Sequence, residues 1–213
     1  MSSSFRVRLC WLTLFAVAMA AVEAAVVVYL RELYYPEGFS FPLKLMPPGI
    51  LAVEVGREAA TLVMLVSAAY LAGARFWERA GYFAFLFGVW DIGYYVWLRI
   101  MIGWPATLLD WDILFLIPIP WLGPVIAPVL LALLMIVTGA LVARRAAAVR
   151  PIVLDRFDWL LGVLATAAIV YSFLHDTGAG LRFEMPRPYP YFLLIAGMIL
   201  YAVAAVRIIR RSY

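Results

Sequence analysis

The chain carries several apolar runs of about 20 residues, the length one helix needs to cross the ~30 Å hydrocarbon core of a bilayer. They fall near residues 9 to 30, 49 to 73, 80 to 102, 122 to 143, 153 to 174 and 189 to 209. Lipid offers no partner for backbone N–H and C=O groups, so such segments must be helices. The expected fold is an all-α integral membrane protein, a bundle of six transmembrane helices. With 67% of residues apolar and 14% charged, no soluble fold could hide the apolar surface. Little of the 213 residues is left for anything outside the bilayer, and 1–213 read as a single transmembrane domain.

Basic residues orient the bundle. With the N-terminus cytoplasmic, the inner segments hold Arg6, Arg8, Arg75, Arg79, Arg144, Arg145, Arg150, Arg156, Arg207, Arg210 and Arg211; the outer ones hold Arg31, Lys44, Arg182 and Arg187. Eleven against four follows the positive-inside rule and predicts an N-in, C-in topology. The net charge of +4 is spent on topology, with no basic face for a nucleic acid. The competing reading of the first run is a cleavable secretory signal, with Arg6 and Arg8 before it and Val22-Glu23-Ala24-Ala25 as a small-residue site. Against it, the apolar stretch continues through Val26, Val27, Val28 and Leu30. Alanine and arginine in place of lysine suggest a GC-rich bacterial genome and a plasma or inner membrane.

The outer connections are aromatic and proline-rich. Tyr34 to Pro42, followed by Pro47-Pro48-Gly49, suits the headgroup zone. Trp104-Pro105 and Asp110-Trp111-Asp112 precede an apolar run broken by Pro118, Pro120, Pro124 and Pro128. That proline density excludes a continuous helix and predicts a short interfacial or re-entrant segment from about 112 to 120 before helix 4, with Asp110 or Asp112 as a helix N-cap. Trp90, Trp97, Trp104, Trp111 and Trp121 read as packing and aromatic-belt residues. No repeat relates the first three helices to the last three, so an inverted-repeat transporter has no support.

Ionisable residues inside apolar spans cost a few kcal/mol each and call for a partner or a purpose. They concentrate in the first three helices: Glu23, then Glu54, Arg57 and Glu58, then Asp91 and Arg99. Counted back from the outer helix ends, Glu23, Glu58 and Asp91 lie roughly 10 to 17 Å deep and can meet. Glu54 and Glu58 share a helix face with Arg57 beside them, and Asp91, Tyr95 and Arg99 repeat every four residues, with Tyr94 adjacent. The expected polar cluster is Glu23, Glu54, Arg57, Glu58, Asp91, Tyr95 and Arg99. Four acids against Arg57 leave negative charge that protons, a cation or water must relieve. His175, the single histidine, ends helix five and overlooks the cluster if that helix packs on the first three. Glu23, Glu54, Glu58, Asp91 and His175 are then the candidate ligands for a divalent metal such as Mg²⁺, Mn²⁺ or Ca²⁺, or for a di-iron centre. The bland accounts are helix-dipole placement of Glu54 and Glu58, plain ion pairs for Glu23 and Asp91, and an interfacial hydrogen bond for His175.

Several chemistries are excluded. One histidine cannot build a zinc-protease or lipid-hydroxylase site; Cys10 alone makes no disulfide or cysteine metal cluster; Lys44, in a loop, cannot carry retinal; no phosphate-cradling glycine loop exists. Three functions remain. The first is a buried acidic site near the outer face that binds protons or a cation, with a possible role in transport, in a homo-oligomer or a larger membrane complex. The second is a membrane enzyme acting on a lipid, quinone or other apolar substrate through Glu58, Asp91 and His175. The third is an accessory subunit whose charges only fix packing. Below Asp91 there is little polar except Ser67 and Tyr70 in the second span and Tyr82 in the third, which favours a one-sided site.

Overall fold

The computed structural model describes residues 3–44, 46–148, 152–182 and 184–210; Arg150 and Arg211, counted above with the inner charges, lie outside them. The protein is mostly helical, at 74%. Its elements run α1 (Ser3–Tyr34), α2 (Pro48–Ala72), α3 (Phe76–Ile102), β1 (Trp111–Phe115), β2 (Trp121–Pro124), α4 (Ile126–Ala147), α5 (Arg156–Leu174), α6 (Thr177–Arg182) and α7 (Tyr191–Arg210). Among the described residues, five helices are long and apolar enough to cross a membrane: α1, α3, α4, α5 and α7. The five do not include α2, whose 25 residues carry Glu54, Arg57 and Glu58.

Helix ends follow local chemistry. Pro48 opens α2, where its missing N–H and fixed φ are tolerated. Gly103 ends α3 at φ +70°, a left-handed position that suits glycine, and returns its N–H to the Arg99 carbonyl. Asp155 caps α5 through a reciprocal pair with Asp158.

The segment before α4 departs from an all-α fold. Residues 111–124 form a two-stranded antiparallel hairpin that pairs Asp112 with Gly123 and Ile113 with Leu122. Pro118 and Pro120 sit in the turn, where no ladder donor is needed, and the strands satisfy each other's backbone as buried chain requires. Helix α4 therefore starts at Ile126 rather than near 122, and Pro128 falls in its first turn, where N–H groups lack intrahelical partners anyway.

Packing divides the helices into two groups. Helix α3 packs on α1, α2 and above all α4, while α5 packs on α7. Glycines bring α3 and α4 into backbone contact: a Cβ at Gly81 would sit 2.5 Å from the Ala143 nitrogen, and one at Gly88 2.5 Å from the Ala132 oxygen. Such small-residue crossings replace the hydrophobic driving force that lipid removes. The hairpin joins the groups, with Trp121 stacked on Phe173 at 5.8 Å and Phe115 on Phe87 at 6.4 Å between ring centroids.

Polar contacts gather one end of the bundle, its base. Arg8 pairs with Glu78 at 2.7 Å, Arg75 donates to the Ala146 carbonyl, and Arg207 bonds Asp158 at 3.0 Å. The hairpin and the α1–α2 connection lie at the other end.

Candidate functional site

Helices α1, α2 and α3, roofed by the α1–α2 connection and walled by β1, enclose a cavity of about 120 Å³, room for several waters or a small ligand. From α1 come Glu23, Val27, Arg31 and Tyr34, a single face at helical spacing. Helix α2 adds Glu54, Arg57 and Glu58, and α3 adds Trp90, Asp91, Tyr94 and Tyr95. Phe39 and Met46 close the roof, and Asp112 to Leu116 form the wall.

Arg57 is a clamp between helices. Its guanidinium holds Glu54 through Nε at 2.9 Å and Nη2 at 2.5 Å, and ion-pairs Glu23 across to α1. The Thr61 hydroxyl donates to the other Glu23 oxygen at 3.0 Å. Glu23, Glu54 and Glu58 are all buried. Glu58 turns away from Arg57 and accepts the Leu116 backbone N–H at 2.9 and 3.1 Å, which ties the hairpin to α2.

Asp91 stands apart. It lines the cavity with no hydrogen bond or ion pair to any described residue.

A second pair completes the site. Arg31 Nη2 donates to Asp112 Oδ1 at 3.0 Å, and the guanidinium lies 3.7 Å from the Trp104 ring centre and 4.3 Å from that of Phe39. The cation thus pins the roof to the α3–β1 connection. Asp112 is buried, with Arg31 as its cationic partner. Replacing Arg31 by methionine leaves Asp112 buried without its cation and is expected to cost about 3 kcal/mol. Pairing Arg31→Met with Asp112→Asn is expected to recover most of that loss, read from detergent unfolding curves of the two variants.

Of the seven residues expected to cluster, the structure brings six to one cavity and separates the seventh. Arg99 reaches forward to the carbonyls of Gly103 and Pro105, in the connection just past the end of α3. The sequence marks Arg31 only as a topological charge and Asp112 only as a helix cap. Arg31 had a signal, since it lies eight residues beyond Glu23 on the same helix face. Asp110 does not cap a helix either; it closes a turn by accepting from Ala106 and Thr107.

The expected metal set does not assemble. Among the described residues no group of three or more His, Cys, Asp or Glu side chains is placed to hold a metal ion. Glu23 and Glu54 are taken by Arg57, Glu58 faces the hairpin, and His175 ends α5, which packs on α7 and β2 instead of α1–α3. Beside His175, Asp176 accepts the Arg187 backbone N–H at 2.6 Å.

Below the cavity the core of the bundle is apolar. Ala16, Ala20, Leu65, Ala69 and Leu86 are buried together, and the next polar group, the Tyr82 hydroxyl, belongs to the Arg8–Glu78 pair at the base. No family model, curated protein or solved structure matches this chain.

Proposed function

We propose that this chain is a six-span protein of a bacterial plasma or inner membrane, with both ends cytoplasmic, and that its α1–α3 cavity binds protons or a small cation from the outer face. One observation carries the reading: Asp91 lines the cavity with no cationic partner among the described residues, in a site of five carboxylates and two guanidinium groups. A carboxylate so placed has to be met by a proton, a cation or water. The basic residues gathered at the base support the cytoplasmic assignment of that end. The hairpin then enters the outer leaflet as a re-entrant piece, its backbone satisfied by pairing and by Glu58. The apolar core beneath argues for a site that binds and releases on one side over a conduit.

The test is infrared difference spectroscopy across a pH titration, with the protein in lipid nanodiscs, following the carboxylic C=O band. The wild type is expected to gain a protonated-carboxyl band that Asp91→Asn removes without lowering the unfolding temperature. If added sodium or ammonium shifts that band, a cation competes for the site. A spectrum indifferent to Asp91→Asn sinks the proposal.

A second reading, catalysis on a lipid, quinone or other apolar substrate with Glu58 and Asp91 as acid and base, draws on the mixed lining. Val27, Leu30, Met46 and Leu114 face the same space as the carboxylates. Turnover lost in both Glu58→Gln and Asp91→Asn, with the fold retained, separates it from simple binding.

A further inference from the structure

The surroundings of Asp91 narrow what can meet its charge. Among the described residues that line the α1–α3 cavity, every other carboxylate has a partner: Glu23 and Glu54 the Arg57 guanidinium, Glu58 the Leu116 N–H, and Asp112 Arg31. Asp91 has none. A hard metal ion exchanges its water for about six oxygen ligands. One carboxylate is a poor start toward that number, and among the described residues no group of three or more His, Cys, Asp or Glu side chains is placed to help.

The rest of the lining is largely aromatic and aliphatic. Seven of the twenty described residues that line the cavity carry aromatic rings, where the chain's 15% would give three. Tyr94 and Tyr95 lie three and four residues beyond Asp91, on the same side of α3, with ring centroids 5.0 Å apart. Val27 and Leu30 of α1 line the same space. Ring faces attract a cation through their quadrupole, and alkyl groups on that cation are favoured against an apolar wall. The protein already holds one of its own cations by this chemistry, since Arg31 pairs with Asp112 while its guanidinium lies over the Trp104 and Phe39 rings.

Size and hydrogen bonding refine the class. At about 120 Å³ the cavity is somewhat smaller than a cavity of about 150 Å³ that takes up benzene, so it suits an occupant of about five heavy atoms. A carboxylate removed from water also needs a hydrogen-bond donor, which a quaternary ammonium ion lacks. We propose that the cavity binds a small primary alkylammonium ion, its N–H groups on the Asp91 carboxylate and its carbons against Tyr94, Tyr95 and the aliphatic face of α1. This rests on the cation reading of the same cavity and narrows it to an organic cation.

Isobutylammonium and isobutanol share one heavy-atom skeleton and differ in charge. Calorimetric titration of the full chain in lipid nanodiscs with each of them, and with sodium, tests the class, with ionic strength held by the bulky N-methylglucammonium cation. About one isobutylammonium is expected per chain, with isobutanol and sodium each roughly tenfold weaker or more, the equivalent of about 1.4 kcal/mol. Asp91→Asn is expected to remove the preference for the ammonium over the alcohol. Tyr94→Leu is expected to weaken the ammonium about fivefold, the equivalent of about 1 kcal/mol, and Tyr94→Phe, which keeps the ring, by about twofold at most. Ammonium binding that Asp91→Asn or Tyr94→Leu leaves unchanged, or that isobutanol matches, overturns the proposal. Sodium that binds as tightly as isobutylammonium and is lost in Asp91→Asn also overturns it, and leaves the cavity an inorganic cation site. If no cation binds while the Asp91 carboxyl band still titrates, the alkylammonium is excluded and a proton site remains. Absence of both binding and that band removes the cation reading together with this one.

Discussion

Leucine at Gly81 or Gly139 is expected to leave the chain unable to hold α3 against α4, with little monodisperse protein recovered after extraction. The reason lies in what the new side chain meets. At Gly81 a Cβ would lie 2.5 Å from the Ala143 nitrogen and 2.7 Å from the Gly139 oxygen; at Gly139 it would lie 2.6 Å from the Gly81 oxygen and 2.7 Å from the Phe85 nitrogen. These are backbone atoms, so no rotamer change relieves the clash and the helices must separate. Ordinary overpacking of a core costs about 1–3 kcal/mol because side chains can shift. A clash that moves two backbones past one another is expected to cost about 5 kcal/mol, comparable to the whole stability of a marginal fold. Gly56→Leu, on the open face of α2, is expected to stay within about 0.5 kcal/mol of wild type. SDS unfolding of the three variants in mixed micelles measures the difference. A Gly81→Leu protein that unfolds like the wild type would mean that α3 and α4 do not cross at these glycines.

What a single chain can show of such a site depends on whether the signal is local. The faces of α1, α2 and α3 are periodic in the sequence, so Glu23, Glu54, Arg57, Glu58, Asp91 and Tyr95 can be grouped by counting residues and depth. The hairpin cannot be reached in this way. Its prolines exclude a helix, but the pairing of Asp112 with Gly123 is a non-local choice, and only that pairing carries Asp112 to Arg31 and Leu116 to Glu58. Arg31 misleads for a related reason, since a charge at a helix end satisfies the topology rule before any partner is sought. His175 fails because nothing within α5 says which helices it will pack on. Gly81 and Gly88 are visible at a seven-residue spacing, yet their partners on α4, Gly139 among them, are not. Local periodicity thus yields the lower walls of the cavity, while its roof and outer wall depend on contacts distant in sequence.

Replacing Arg57 by methionine strands two buried carboxylates at once and is expected to destabilise the protein by about 5 kcal/mol or more. Removing one partner of a buried ion pair typically costs about 3–5 kcal/mol, because the remaining charge keeps its desolvation penalty without its Coulombic return. Arg57 serves both Glu54 and Glu23, and through Glu23 it joins α2 to α1. The triple variant Arg57→Met, Glu23→Gln, Glu54→Gln removes the cation together with the charges it held, and Thr61 still offers a hydrogen bond at position 23. It is expected to regain most of the lost stability, a strongly non-additive result that a cycle of single and multiple variants will display. The same protein separates structure from function in this cavity. Glu58 is held by the hairpin and Asp91 by nothing among the described residues, so neither depends on Arg57 for its place. If the clamp is structural and Asp91 is the binding group, the refolded triple variant keeps the titrating carboxyl band that Asp91→Asn abolishes. If the band disappears with the clamp, binding resides in the Glu23–Arg57–Glu54 triad, and Asp91 serves only to shape its field.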